Sequence, residues 1–550
     1  MKVETDIANT RSAQIDLLTK GPQEWDLIIV GGGITGAGVF REAAHLGLKV
    51  LLVEQRDFAW GTSSRSSKMV HGGLRYLGSG QFGLANDSVK ERQSLMTELP
   101  GLVDPLPFMM GHYKGVFPGP WIFNKLLAIY DFMAGKRYRR FFKNGIRDYL
   151  VPGLNTLKLK GATQFSDAVT DDARLVMRVI QAGQQENGLA INYLKAIEVL
   201  KDKGRVQGLV LKDGETDKQI HVHAKTVINA TGAWTDELRA MMGVEQVIRP
   251  LRGSHLVIPF WRLPVAFSVS LFHPKDKRPV FAFPWEGVTV IGTTDLDHKA
   301  DPANEASISE QEVSYLLEAV NHQFPQANLQ ISDIRSTWSG VRPVVSKQCL
   351  KSGQKIDVDK PAKPSDEKRE HAIWDDSGLI SVAGGKLTTY RLIAMDVLKK
   401  AAPYLNIPES RLTKSSHFEL AHKSDVLESK FSVAISVGTK RRLLGRYGEH
   451  SSLISELINT TPKLADKVGT TDTLWAELVW ACKSENVVHL DDLLLRRTRI
   501  GLLLDKGAEA FMSEIKLICQ AQLHWNESKW QTELGRYRSI MQQHYSLPES

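Results

Sequence analysis

Residues 26–55 read DLIIVGGGITGAGVFREAAHLGLKVLLVEQ, and this stretch decides the fold. Leu27 to Val30 form an apolar run of strand length. Gly31, Gly33 and Gly36 follow in G-x-G-x-x-G spacing, with Gly32 between the first two. Ala37 to Leu46 is amphipathic at helical period, and Lys49 to Val53 reads as a second strand ending at Glu54. Gly31 permits the tight turn out of the strand, Gly33 lets backbone approach a pyrophosphate, and Gly36 lets the helix pack closely. Glu54 sits about 20 residues on, where a carboxylate accepts hydrogen bonds from ribose hydroxyls. A glycine motif alone is common. Between two strands, with the acid in place, it specifies dinucleotide binding.

At 550 residues the chain is too long for one core, so more than one domain is expected. The composition, 42% hydrophobic and 24% charged, is that of a globular protein and excludes a disordered chain. Cys349, Cys482 and Cys519 are scattered, with neither a disulfide framework nor metal-ligand spacing, so no metal is expected. The first 22 residues are a polar extension without a signal-peptide core, and Glu4, Asp6 and Asp16 argue against a transit sequence. No apolar run reaches the roughly 20 residues of a membrane-spanning helix. A soluble or peripheral body is expected, and a net charge of +8 suits an anionic substrate or a membrane surface.

Strand-like runs with glycine turns, such as VTVIGTTD (288–295) and LISVAGGK (379–386), continue to about residue 395. Beyond about 400 the segments are of helix length, as in TLWAELVWACKSE (473–485) and DDLLLRRTRIGLLL (491–504). The expected organisation is a 1–22 extension, a 23–395 nucleotide- and substrate-binding domain with discontinuous subdomains, a 396–425 linker and a 426–550 helical cap. The polar stretch 351–376 reads as a surface excursion. The fold class is α/β (α+β): a Rossmann-like domain with an inserted β-rich substrate domain, followed by an all-α C-terminal domain.

The block GTSSRSSKMVHGGLRYLGSG (61–80) supplies small hydroxyl residues and paired glycines, a polar cradle suited to a permanently bound flavin. VINATGAW (227–234) reads as a strand ending in a small-residue turn that the cofactor's middle section can pass. With DDARL (171–175), RGSHLVIP (252–259), IGTTD (291–295), SGVRPVV (339–345), AGGKLTTYRLIA (383–394) and RRTRIGLL (496–503), the chain resembles the FAD-dependent glycerol-3-phosphate dehydrogenases of the D-amino-acid-oxidase-like superfamily. The likeness runs from about residue 23 to 505 in the family's order. It departs in the N-terminal extension and at Arg252, where lysine is expected.

The resemblance implies oxidation of sn-glycerol 3-phosphate to dihydroxyacetone phosphate at FAD, with electrons passed to membrane quinone. The residues expected to hold FAD are Gly31, Gly32, Gly33, Gly36, Glu54, Thr62, Ser63, Ser67, His71, Gly72, Ala230, Gly232, Gly385, Lys386, Leu387 and Thr388. Arg75, Tyr76, Arg342 and Lys386 are the expected substrate contacts, since guanidinium forks and an ammonium suit a phosphate dianion. Surface cations or structural ion pairs are the competing reading for each cation. His255 is the expected proton acceptor, with a buried, backbone-satisfied histidine as the alternative. His71 is a second candidate, and Arg342 also suits the C2 oxygen. The KLTT turn (386–389) faces the pyrimidine end of the flavin, or Thr388 simply caps the helix that follows.

Residues 121–133, WIFNKLLAIYDFM, are followed by the basic and aromatic GKRYRRFFK (135–143). This pattern suits a membrane interface, and equally a buried helix next to a solvated basic face. No nucleic-acid motif accompanies it. The helical region carries no catalytic constellation, and a structural cap or homodimer contact is its expected role. The expected location is cytoplasmic, peripheral to the inner face of the plasma membrane. The rival activities are a glycerol-3-phosphate oxidase using oxygen and a related flavoenzyme acting on an amine or hydroxy acid. A non-catalytic flavoprotein and a plain NAD dehydrogenase complete the alternatives.

Overall fold

The computed structural model describes residues 11–20, 24–345 (save 79, 144 and 302), 371–413, 418 and 435–548. The apolar run of the opening stretch forms strand Glu24–Val30, at the centre of an eight-stranded sheet. Its neighbours Val50–Val53 and Gln219–Asn229 are parallel to it, and Leu379–Ala383 extends the parallel set beyond Gln219–Asn229. Side chains alternate between two apolar layers, as strand geometry requires. Leu27, Ile29 and Leu52 face helices Ile34–His45, Asp172–Gln185 and Tyr390–Leu405. Ile28, Val30, Leu51 and Val53 face the antiparallel strands Leu194–Asp202 and Arg205–Asp213. Each such side chain, fully buried, contributes about 1.5–3 kcal/mol.

A second sheet, expected to carry the substrate, is ten-stranded and largely antiparallel. Strand Ile248–Pro259 pairs with Val288–Gly292 on one edge and Ser336–Val345 on the other. Helix Glu310–Gln323 closes one apolar layer of this sheet, and the C-terminal helices pack against the other through Val257, Phe283, Trp285 and Trp338. The mixed α/β fold with a helical C-terminal domain is therefore as expected.

Boundaries differ in instructive places. Helix Tyr390–Leu405 runs ten residues into the expected 396–425 linker, because Val397, Leu398, Ala401 and Leu405 are part of the first core. In the expected extension, Arg11–Thr19 is a helix whose Ile15 and Leu18 are buried. Its Arg11 bonds Asn192 O and Tyr193 O, and Gln14 accepts from Asn486 of the cap. Of the 351–376 excursion, Ala372–Asp376 is an edge strand and residues 351–370 lie outside the described residues. The 491–504 segment is not one helix. It breaks at Arg499, whose φ is 64°, because Arg496, Arg497 and Arg499 turn inward to buried carboxylates.

Candidate active site

The C-terminal ends of the parallel strands gather the expected nucleotide residues on one edge, where α/β sheets bind ligands. Val30 is level with Val53 and Asn229, and Asn229 with Ser381. Gly31–Gly36, Glu54, Ala230–Gly232 and Gly385–Thr388 follow directly from those ends. The glycines have distinct jobs. A Cβ at Gly31, whose φ is 113°, would lie 2.5 Å from Ala230 O, and one at Gly36 would lie 1.9 Å from Gly31 O. Helix Ile34–His45 starts directly after Gly33, earlier than expected, so Gly36 belongs to its first turn.

Glu54 accepts hydrogen bonds from Gly32 N at 2.7 Å and Arg56 N at 2.9 Å. Burial raises its pKa against those bonds, so the carboxyl is an acceptor set in a low-dielectric turn. Ser63 Oγ accepts from Ile34 N, at the helix N-terminus, at 3.0 Å. Thr62 donates to Val341 O of the substrate sheet, so the loop bridges both domains.

In the second half of the cradle, Ser67 Oγ lies 2.9 Å from His255 Nε2. His255 is buried and stacks on Trp338 with ring centres 4.9 Å apart. Burial, then the charges of Lys68 and Arg342, holds its pKa well below the usual value, so the imidazole is neutral. Among the described residues its Nδ1 has no hydrogen-bond partner. The backbone-satisfied alternative does not describe this ring. Arg342 donates to Asp295 Oδ1 at 2.9 Å and to Thr293 Oγ1 at 3.3 Å. Lys386 Nζ lies 4.6 Å from the Tyr76 ring centre, which brings those two predicted residues together. Arg75 is exposed on the short helix Leu74–Gly78. His71 and Thr388 meet through reciprocal contacts of 3.2 Å between the Thr388 hydroxyl and the His71 backbone. Thr388 therefore does not cap the following helix, which opens through a 3-10 turn, Leu387–Thr389.

Arg252 faces the other side of its strand. Its guanidinium pairs with Glu312 at 2.8 Å, and Glu312 also accepts from Ser254 and Thr294. The departure from lysine is thus absorbed in a structural ion pair away from His255.

Several important residues were not singled out from the sequence. Lys68 is buried against Asp172, and Arg499 of the cap pairs with Asp171 and Asp172. Arg496 and Arg497 both grip Asp57, a few residues past Glu54. Arg65 pairs with Glu305 and bonds Tyr545 OH at 3.0 Å. The cap and the chain's last turn therefore fasten the 57–68 loop. The opposite charges of DDARL (171–175) and RRTRIGLL (496–503) are the signal the sequence holds for this contact.

The arrangement fits a dinucleotide flavin. The turn needs glycine at its closest approaches, an acceptor ends the second strand, and a Cβ at Gly232 (φ 62°) would meet nothing within 4 Å. His255 Nδ1 is a buried polar atom without a hydrogen-bond partner among the described residues, an arrangement a bound group would satisfy. Among the described residues no cluster of side chains could hold a metal ion.

Comparison with known proteins bears directly on this geometry. Residues 26–391 match the FAD dependent oxidoreductase family, and residues 410–530 match the C-terminal domain of alpha-glycerophosphate oxidase. The aerobic glycerol-3-phosphate dehydrogenase of Staphylococcus haemolyticus is 34% identical over 501 residues, 86% of this chain and 87% of the relative. Glycerol-3-phosphate dehydrogenase 2 of Mycobacterium tuberculosis is 33% identical over 537 residues, 94% of this chain and 88% of the relative. The structure of the glycerol-3-phosphate dehydrogenase from Bacillus halodurans complexed with FAD superimposes with a TM-score of 0.76 at 26% identity, covering 98% of both chains.

Proposed function

Because the chain belongs to the FAD-dependent glycerol-3-phosphate dehydrogenases, we propose that it oxidises sn-glycerol 3-phosphate to dihydroxyacetone phosphate at bound FAD and delivers the electrons to a membrane quinone. The observation that carries the reading is a neutral, buried His255 flanked by the Arg342 fork, beside a cradle that needs glycine and ends in Glu54.

Bound FAD would supply the two-electron acceptor for the C2 hydrogen. The chain itself holds the phosphate, orients C2 and takes the hydroxyl proton. Arg342, anchored on one arm by Asp295, offers a directed guanidinium to the anionic substrate. Lys386 and Tyr76 supply an ammonium and a hydroxyl from a second direction, with Arg75 on the adjoining helix. With Nε2 engaged by Ser67, His255 Nδ1 takes the C2 hydroxyl proton as the C–O bond becomes a carbonyl. Ser67 and Trp338 fix the orientation of the ring. Gly31–Gly36, Thr62, Ser63 and Glu54 would hold the adenosine and pyrophosphate end, and His71, Gly72 and Gly385–Thr388 the flavin end.

The quinone arm is supported by helix Pro120–Ala134. Phe123, Leu127, Tyr130 and Asp131 are buried, while Trp121 is 73% and Phe132 86% exposed, next to Phe117 at 76%. A wholly buried helix is not what forms. Lys125, which lies over the Trp121 ring, and Lys136, Arg137 and Arg140 just after the helix are also exposed, a pattern that suits an anionic lipid surface. No described helix is long and apolar enough to cross a membrane, and peripheral attachment to the inner face of the plasma membrane fits this layout. Turnover with a short-chain quinone in place of oxygen tests the acceptor. Quinone reduction with little peroxide is expected, and one peroxide per substrate would assign an oxidase instead.

A further inference from the structure

Lys68 lies in the cradle motif, behind the residues proposed to hold substrate and take its proton. It is fully buried, and its Nζ donates to Ser64 O at 2.8 Å and to the Asp172 carboxylate at 2.9 and 3.1 Å. The same ammonium lies 4.5 Å from the Trp338 ring centre and 5.1 Å from that of Trp285. Trp338 is the ring that stacks on His255, and Ser67, next to Lys68 in sequence, holds His255 Nε2. The backbone at Lys68 has a φ of 57°, a conformation that lysine keeps only where its surroundings hold it. Those surroundings are explicit. Ser66 N and Oγ donate to Asp172, Trp338 Nε1 donates to Ser66 O at 3.2 Å, and Thr170 N donates to Lys68 O at 2.9 Å.

We propose that Lys68 is a positioning residue for the proton transfer: pinned by Asp172 against Trp285 and Trp338, it fixes Ser67 and Trp338 on the imidazole and, as a neighbouring positive charge, keeps His255 unprotonated. This rests on the reading of His255 as proton acceptor. A cation near an imidazole disfavours the imidazolium form, so the base stays ready at lower pH than an isolated histidine would. The other charges around the pair are Asp171 and Asp172 on the helix start and Arg499 and Arg446 from the cap. Arg342 with Asp295 lies on the substrate-sheet side. All four cations are paired with carboxylates, and of them Lys68 and Arg342 are the two whose charge lowers the His255 pKa. Lys68 itself is pushed down by burial to about 8 and is therefore charged at neutral pH.

The test is the pH dependence of anaerobic flavin reduction by sn-glycerol 3-phosphate in the holoenzyme, for the wild type, Lys68→Met, Lys68→Arg and His255→Asn. Where Lys68→Met does not retain flavin, Lys68→Gln replaces it. The neutral variant is expected to move the acid limb upward by about one pH unit, with Lys68→Arg restoring the wild-type position and His255→Asn abolishing the limb. A limb abolished by His255→Asn but unmoved in Lys68→Met overturns the proposal alone, and a structural role would give this result, since it lowers rates evenly. A limb that persists in His255→Asn removes the proton-acceptor reading, and the proposal falls with it.

Discussion

Tyr130 Oη lies 2.5 Å from Asp167 Oδ1, and the same carboxylate oxygen receives Gly72 N at 2.9 Å and the Arg92 guanidinium. The helix that exposes Trp121 and Phe132 is thus joined through one buried acid to the segment that carries His71 and the short helix of Arg75 and Tyr76. Tyr130→Phe removes one bond to a buried charge, which costs about 1.5–3 kcal/mol. The denaturant midpoint should fall, and KM for glycerol 3-phosphate should rise as the loop loosens. A lowered midpoint with KM unchanged would confine the node to a stabilising role.

Glu54→Ala should lower flavin occupancy of the purified protein, measured by the ratio of flavin to protein absorbance. Gly32 N loses its acceptor at the same time, so refolding controls with added FAD separate affinity from stability. Full occupancy without added FAD would remove Glu54 from the cofactor site.

Arg342→Ala should lower the rate of flavin reduction about 100-fold or more, the scale of losing one preorganised charge contact in a transition state, while leaving the visible flavin spectrum intact. Near-normal reduction would return Arg342 to a structural pair with Asp295.

The Rossmann half was legible because its information is local: turn glycines, alternation and an acid at the end of a strand lie within one stretch. His255, Arg342, Tyr76 and Lys386 are proposed as site residues on motif context. Their surroundings were not readable, because strand pairing decides them. Nothing in RGSHLVIP shows that Arg252 turns to Glu312 while His255 turns to Ser67, until the register with Ser336–Val345 is known. The break at Arg499 was hidden for a related reason. DDLLLRRTRIGLLL has helical period, but three buried ion-paired arginines override local preference.

Those arginines give the protein a pH signature. Burial raises the Asp57 pKa, but the charges and hydrogen bonds of Arg497 and Arg496 outweigh it and hold the carboxyl at about 2. A depressed folded-state value contributes stability above the unfolded pKa, near 4, which is lost as pH falls toward 2. His489, bonded to Glu533 and Glu215, is raised to about 9 despite burial. Its contribution is complete below about 6.5 and is lost as pH rises through 9. Thermal midpoints should therefore fall at both ends. Arg497→Met, which leaves Asp57 with the Arg496 charge and the Asn192 amide, should lower the thermal midpoint near neutral pH and flatten the acid limb of that profile. An acid limb as steep as the wild type's would show that other groups set it.

Trp121→Ser with Phe132→Ser should shift the protein from anionic lipid vesicles to the free fraction in a flotation assay without lowering its thermal midpoint, because both side chains are exposed. An unchanged distribution would place the lipid contact on another face.

The most direct test of the whole account is an anaerobic titration of the purified holoprotein with sn-glycerol 3-phosphate, following flavin absorbance near the roughly 450 nm typical of oxidised flavins (the cofactor carries the redox change). Bleaching to completion, with one dihydroxyacetone phosphate formed per flavin reduced, is the expected result. A yellow protein that stays yellow with excess substrate, yet bleaches with another small hydroxy or amino compound, would keep the fold and contradict the substrate.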